Sequence, residues 1–145
     1  MKISTKGRYA LRMLLDLAEH KGEGFISLKE IAERQEISKQ YLEHIVSLLN
    51  ASNILRANRG KQGGYMLAKE PEEYTVGQIL RITEGSLVPV ACMEDEINQC
   101  SRADYCKTLP IWNGFNKVMN EYFDGITLQD LMNQGPEQSA DNYVI

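Results

Sequence analysis

Apolar residues recur at helical spacing along most of the chain, and the breaks between these runs divide it into elements. Tyr9, Ala10, Met13, Leu14, Leu17 and Ala18 share one face of a first helix predicted over residues 4–20, with Gly22 as its C′ residue. Leu28, Ile31 and Ala32 lie on one face of a short second helix. Ser27 is its N-cap, and Glu30 three residues on completes a capping box. Gln35, Glu36 and Ile37 make a tight turn. Ser38 then caps a third helix, whose Leu42, Ile45, Val46 and Leu49 fall at i, i+3, i+4 and i+7. Two short strands follow, over 54–57 and 65–67. The run Arg59-Gly60-Lys61-Gln62-Gly63-Gly64 joins them, its glycines giving the backbone freedom of a hairpin tip.

Beyond a polar link at 69–74, Thr75 caps a fourth helix with Gln78 as its box partner. Val76, Ile79, Leu80 and Ile82 form its apolar side, and it stops at Gly85. Residues 86–110 show no helical period and hold all three cysteines. Pro110 suits the first turn of a long helix whose Ile111, Trp112, Phe115, Val118, Met119, Tyr122 and Phe123 form a wide apolar stripe. A chain this small has limited core to cover such a face. The helix is therefore expected to dimerise, with Trp112, Phe115, Met119 and Tyr122 at the interface. A last helix is predicted over 128–132. The tail from Gly135 is polar and expected to be loose, although its Tyr-Val-Ile end offers a docking segment.

The fold class is thus mainly α with a small β wing: a winged helix-turn-helix domain plus a long dimerisation helix. The expected division is a DNA-binding domain over 1–85, a cysteine-bearing loop over 86–109, the dimerisation and terminal helices over 110–134, and a flexible tail over 135–145. Two capped helices, a short turn and a basic glycine-rich hairpin, in that order, point to DNA. The apolar stripe of the third helix docks on the core and leaves Lys39, Gln40, Tyr41, Glu43 and His44 outward. Gln40 and Tyr41 are the candidates for base contacts, Gln40 suiting adenine by its amide geometry. Ser38 and Lys39 are placed at phosphate, and Arg59 and Lys61 at the wing contact. Glu43 either accepts from cytosine or pairs with Arg59. Otherwise it is a solvated edge residue.

Charge alters the picture because it is unevenly spread. Residues 1–69 carry twelve Lys/Arg and seven Asp/Glu, a net +5, whereas residues 70–145 carry four and thirteen, a net −9. A basic front half presents one face to a polyanion despite the overall −4. Lys2, Lys6, Arg8 and Arg12 crowd the first turns of the first helix and oppose its dipole, a cost that a nearby phosphate would relieve. No apolar run approaches a membrane span, and the first residues lack a signal-peptide core, so the cytoplasm is the expected compartment. An enzyme is not expected: the sequence has no nucleotide loop or hydrolase motif, and His20 and His44 are its only histidines. A protein-interaction module built on the acidic half and the Trp112 helix is the rival that dispenses with DNA.

Cys92, Cys100 and Cys106 are spaced C-x7-C-x5-C, and no other position is cysteine. An odd count argues against a disulfide framework. Three thiolates on one loop can converge on a soft metal centre, but iron–sulfur clusters and structural zinc both take four protein ligands. Glu94, Asp95, Glu96 and Asp104 are the nearby candidates for the fourth. Zinc and unligated redox-sensing or inert thiols stay open, and the acidic neighbours are expected to raise the thiol pKa values.

Several stretches resemble the IscR/NsrR/CymR family of bacterial winged-helix regulators: Met-Lys-Ile-Ser-Thr-Lys-Gly-Arg-Tyr-Ala at the start, Ser38 to Leu42, Arg59 to Leu67, Thr75 to Gly85, and Ile126-Thr127-Leu128-Gln129-Asp130-Leu131. The resemblance spans about residues 1–132. It implies a homodimer with crossed long helices that binds palindromic promoter DNA. It also implies an iron–sulfur cluster on Cys92, Cys100 and Cys106, with 2Fe–2S favoured and 4Fe–4S the alternative. The IscR branch adds a histidine three residues after the last cysteine, where this chain has Leu109. The NsrR branch uses an acid near the partner chain's start, where this chain has Arg8. Both departures leave the fourth ligand unassigned. The CymR branch lacks the cysteines yet resembles this chain in its start, its Glu-Gly turn and its Tyr-rich tail. It implies instead a regulator of cysteine metabolism controlled by a partner enzyme of cysteine synthesis or by thiol redox state.

Overall fold

The computed structural model describes residues 1–134, so the expected loose tail and its docking end lie outside the described residues. Six helices and one two-stranded sheet follow in chain order: α1 (Thr5–Glu19), α2 (Leu28–Gln35), α3 (Lys39–Ala51), β1 (Leu55–Asn58), β2 (Gly64–Leu67), α4 (Val76–Glu84), α5 (Leu109–Asp124) and α6 (Leu128–Asn133). The helix starts follow local chemistry. Ser27 and Glu30 form the reciprocal capping box, Thr127 and Asp130 form another, and the Ser38 hydroxyl accepts from the Tyr41 N–H at 3.1 Å. Thr75 accepts from the Gln78 N–H at 3.1 Å, but the return bond expected from Gln78 is not made. The backbone beside Thr75 is tied elsewhere: the Val76 N–H donates to the Ile126 carbonyl at 2.8 Å, and the Leu128 N–H to the Tyr74 carbonyl at 3.0 Å. Gly22 lies one position beyond its expected place, because α1 closes on His20.

The apolar stripes meet in one main core. Met13 and Leu14 of α1, Ile31 of α2, Leu42, Ile45 and Leu49 of α3 and Ile79 of α4 are all buried there. Leu128 belongs to the same cluster, so α6 closes the winged-helix core. A second, smaller cluster joins Val76 and Leu80 of α4 to Leu87 and Met119. That contact sets which way α5 faces. Met119, expected at a dimer interface, is 7% exposed and packs inside its own chain. Trp112, Phe115 and Tyr122, together with Ile111 and Val118, stay exposed along the outer side. The wide stripe is therefore two faces, one inward and one outward.

In the wing, Leu55 pairs with Leu67 and Asn58 with Gly64 in antiparallel register. Ile26 adds a bridge to Tyr65, with N–H to carbonyl distances of 2.9 and 2.8 Å, which anchors the hairpin beside the start of α2. Gly64 is required by that approach, since a Cβ there would overlap the Ile26 carbonyl. No described helix is long and apolar enough to cross a membrane.

Candidate nucleic-acid interface and cysteine segment

The first half of α3 leaves Lys39, Gln40 and Glu43 exposed, while Leu42, Ile45, Val46 and Leu49 are buried on its other face. Arg59 and Lys61 stand exposed at the wing tip, where Gly60 takes a φ of 112° and the Gly63 N–H closes on the Gly60 carbonyl at 2.9 Å. Both groups of residues thus lie at the surface. Among the described residues no ion pair joins Glu43 to Arg59.

Tyr41 differs from its neighbours. It is half-buried, and its ring stands edge-on to Tyr9 of α1, with centroids 5.6 Å apart and planes at 81°. The Arg12 guanidinium lies 5.1 Å from the Tyr9 centroid and donates to the Gln35 carbonyl and, at 3.3 Å, to the Gln35 side chain. This packing leaves only part of the Tyr41 side chain at the surface. Arg12, expected among phosphate-seeking cations, is engaged within the chain instead.

The positioning groups were less visible in the sequence. Asp16 is buried between α1 and α2. Its carboxylate accepts from Arg34 Nε at 3.0 Å and Nη2 at 2.7 Å, and from Gln35 Nε2 at 3.0 Å. Burial works against its charge. The hydrogen bonds from Arg34 and Gln35 and the charges of Arg34 and His20 outweigh it, and the carboxyl is held below the ordinary 3.8. An acid interrupting the apolar run between Met13 and Leu17 was the signal for this clasp.

The cysteine segment joins α4 to α5. Cys92 sits in a 3₁₀ turn over Ala91–Met93, Cys100 is exposed with its N–H on Asn98 Oδ1 at 2.9 Å, and Cys106 follows a 3₁₀ turn over Ala103–Tyr105. All three are free thiols. The Thr108 hydroxyl, 3.4 Å from Cys106 Sγ, holds that thiol below the ordinary 9.0, helped by the backbone N–H groups of Thr108 and Leu109. The acidic neighbours were expected to act in the opposite direction. At Cys106 the charge that acts is that of Arg102, which lowers the pKa further, and what opposes the donors is burial.

Among the described residues no three His, Cys, Asp or Glu side chains gather closely enough to hold a metal, so the three thiols are not brought together. Cys92 shares a cavity of about 300 Å³ with Asp95 and Glu96, two of the expected fourth-ligand candidates. Three thiols on one segment are donors of the kind a soft metal centre takes.

Comparison with known proteins agrees with this architecture. The Rrf2 family, described as an iron-dependent transcriptional regulator, matches residues 3–134. The HTH-type transcriptional regulator CymR of Bacillus subtilis is 40% identical over 131 residues, covering 90% of this chain and 89% of its own length. The HTH-type transcriptional regulator IscR of Pectobacterium atrosepticum is 35% identical over 133 residues, covering 92% and 80%. The solved structure of T. potens IscR aligns with a TM-score of 0.72 at 34% identity, covering 100% of this chain and 93% of its own. With these relatives and this architecture, the chain belongs to the Rrf2 family of winged-helix, DNA-binding transcriptional regulators.

Proposed function

We propose that this regulator is a cytoplasmic homodimer, acts chiefly as a repressor, and binds promoter DNA with an affinity set by an iron–sulfur cluster on Cys92, Cys100 and Cys106. The observation that carries the reading is the placement of all three thiols on the one segment linking α4 of the DNA-binding domain to α5. The cluster supplies a centre whose presence and redox state vary with the cell. The segment's own part is mechanical. Gathering three side chains spread over 92–106 orders a stretch that otherwise has only two 3₁₀ turns, and this sets how α5 leaves α4. Half-sites one helical turn apart, roughly 34 Å, tolerate little change in the spacing of two recognition helices. A coupling of about 1–3 kcal/mol shifts affinity about 5–150-fold.

In this reading Gln40 and Tyr41 contact bases, Ser38 and Lys39 hold phosphate, and Arg59 and Lys61 place the wing. The chain acts by binding and not by catalysis. Protein purified without oxygen is expected to be brown, with iron and sulfide in proportion to chain, and Cys100→Ala to be colourless. Colourless wild-type protein carrying stoichiometric zinc would replace the cluster with a zinc site.

A second reading has its own support. The 40% identity to CymR exceeds that to IscR, and the solved CymR of B. subtilis is described as a global cysteine regulator. Control by a partner enzyme of cysteine synthesis, or by thiol oxidation, would then replace the cluster. Iron-free protein whose promoter binding responds to such an enzyme or to a thiol oxidant decides for it.

A further inference from the structure

Lys2, Lys6 and Arg8 crowd the start of α1, yet the first turn of that helix holds no acidic residue to offset its dipole. The missing carboxylate comes from another helix. Glu84, the last residue of α4, accepts from the Ser4 N–H at 3.0 Å and from the Ser4 hydroxyl at 2.6 Å. Gly7 permits the approach, since a Cβ there would overlap Glu84 Oε1 and lie 3.2 Å from Leu80 Cδ2. Glycine weakens a helix relative to alanine, so this contact explains why one stands in α1.

The contact sits between two other structures. Tyr9, two residues past Gly7, is the residue that packs edge-on against Tyr41, so the first third of α1 lies beside the recognition half of α3. On the other side Gly85 follows Glu84 with a φ of 79°, and the cysteine segment begins at Ser86. One turn earlier Arg81 clasps Asp124 of α5 through two hydrogen bonds of 2.8 Å and Asn120 through one of 2.6 Å. The last turn of α4 therefore touches the DNA-facing helices, the cysteine segment and α5 at once.

We propose that Glu84 is a positioning residue for DNA binding. Its grip on Ser4 sets where α1 stands, and α1 in turn sets Tyr41 and the cations Lys2, Lys6 and Arg8 against the duplex. Ordering of the cysteine segment reaches the recognition helix by this route, a part that rests on the cluster reading above.

The test compares full-length wild type with Glu84→Ala, Glu84→Gln and Gly7→Ala, all purified without oxygen. Affinity for the protein's own promoter fragment and for an unrelated duplex is measured with and without the cluster, alongside iron content and melting temperature. Glu84→Ala should lose about tenfold or more in promoter affinity, and its ratio of loaded to stripped affinity should collapse toward one. Iron per chain and melting temperature should stay near wild type. Glu84→Gln, whose amide oxygen accepts the same two bonds, should recover most of the affinity. Gly7→Ala displaces the carboxylate without removing it, and should repeat the loss even if Glu84→Ala does not fold. Wild-type promoter affinity in Glu84→Ala overturns the proposal, as does an equal loss for both duplexes that follows a lowered melting temperature. If wild type binds equally with and without its cluster, the cluster reading fails. A promoter-specific loss rescued by glutamine then still upholds the role of Glu84.

Discussion

Between α1 and α2 the Asp16 carboxylate meets three donors while almost wholly removed from water. Its folded pKa lies below the ordinary value, so the unfolded chain binds the proton first as pH falls. The stability contributed is complete above the unfolded pKa and disappears as pH drops from about 4 through the folded pKa. Asp16→Asn should therefore cost about 2 kcal/mol at neutral pH and flatten the acid limb of the melting-temperature profile. A variant with the full wild-type acid dependence would remove Asp16 from that account. Tyr41 permits a second separation at this scale. Tyr41→Phe keeps the ring on Tyr9, so its folding stability should stay within about 0.5 kcal/mol of wild type. If the hydroxyl touches DNA, promoter affinity falls by about 1–2 kcal/mol. Tyr41→Ala should show both defects, with about 0.5–1.5 kcal/mol of aromatic pairing lost as well.

The wing is the element whose function depends most directly on one close backbone approach. Gly64→Ala forces its Cβ into the Ile26 carbonyl and should cost about 1–3 kcal/mol by overpacking. It also moves the hairpin that carries Arg59 and Lys61. Arg59→Ala leaves the hairpin in place and should reduce the salt slope of binding by about one unit, measured by anisotropy across a salt series. An unchanged slope would mean that Arg59 makes no phosphate contact. These elements were legible because their determinants are local: Ser27 and Glu30, or Thr127 and Asp130, are three residues apart and face each other on any helix start. What escaped the sequence is long-range. The Ser4–Glu84 bond spans 80 positions, and nothing near either residue announces the other except an unexplained Gly7. Periodicity likewise marked the α5 stripe as apolar but did not divide it, because Met119 and Phe115 differ only in which partner lies opposite. The cysteines were legible as a group by their spacing, but that spacing did not give their geometry: they are not brought together among the described residues.

At the scale of the whole molecule, α5 links two demands that a substitution series can pull apart. Its inward face packs Met119 against Val76, Leu80 and Leu87, so Met119→Ala should destabilise the monomer fold by about 2–5 kcal/mol. Its outward face leaves Ile111, Trp112, Phe115, Val118 and Tyr122 in water, an arrangement that a second copy of the chain would cover. A stable interface buries about 800 Å² per partner, and large aromatic side chains of about 150–250 Å² each supply much of that area. Phe115→Glu with Tyr122→Glu should leave the helical signal and melting of the monomer largely intact, because neither side chain belongs to either core. Two like-charged carboxylates per chain would then meet across a symmetric contact, and light scattering should report about 16.5 kDa. A palindromic promoter read by one recognition helix instead of two loses the second half-site's contribution, so affinity should fall at least about 100-fold, while a single half-site is bound as well as by wild type. A dimer that survives both substitutions would move the interface off this face.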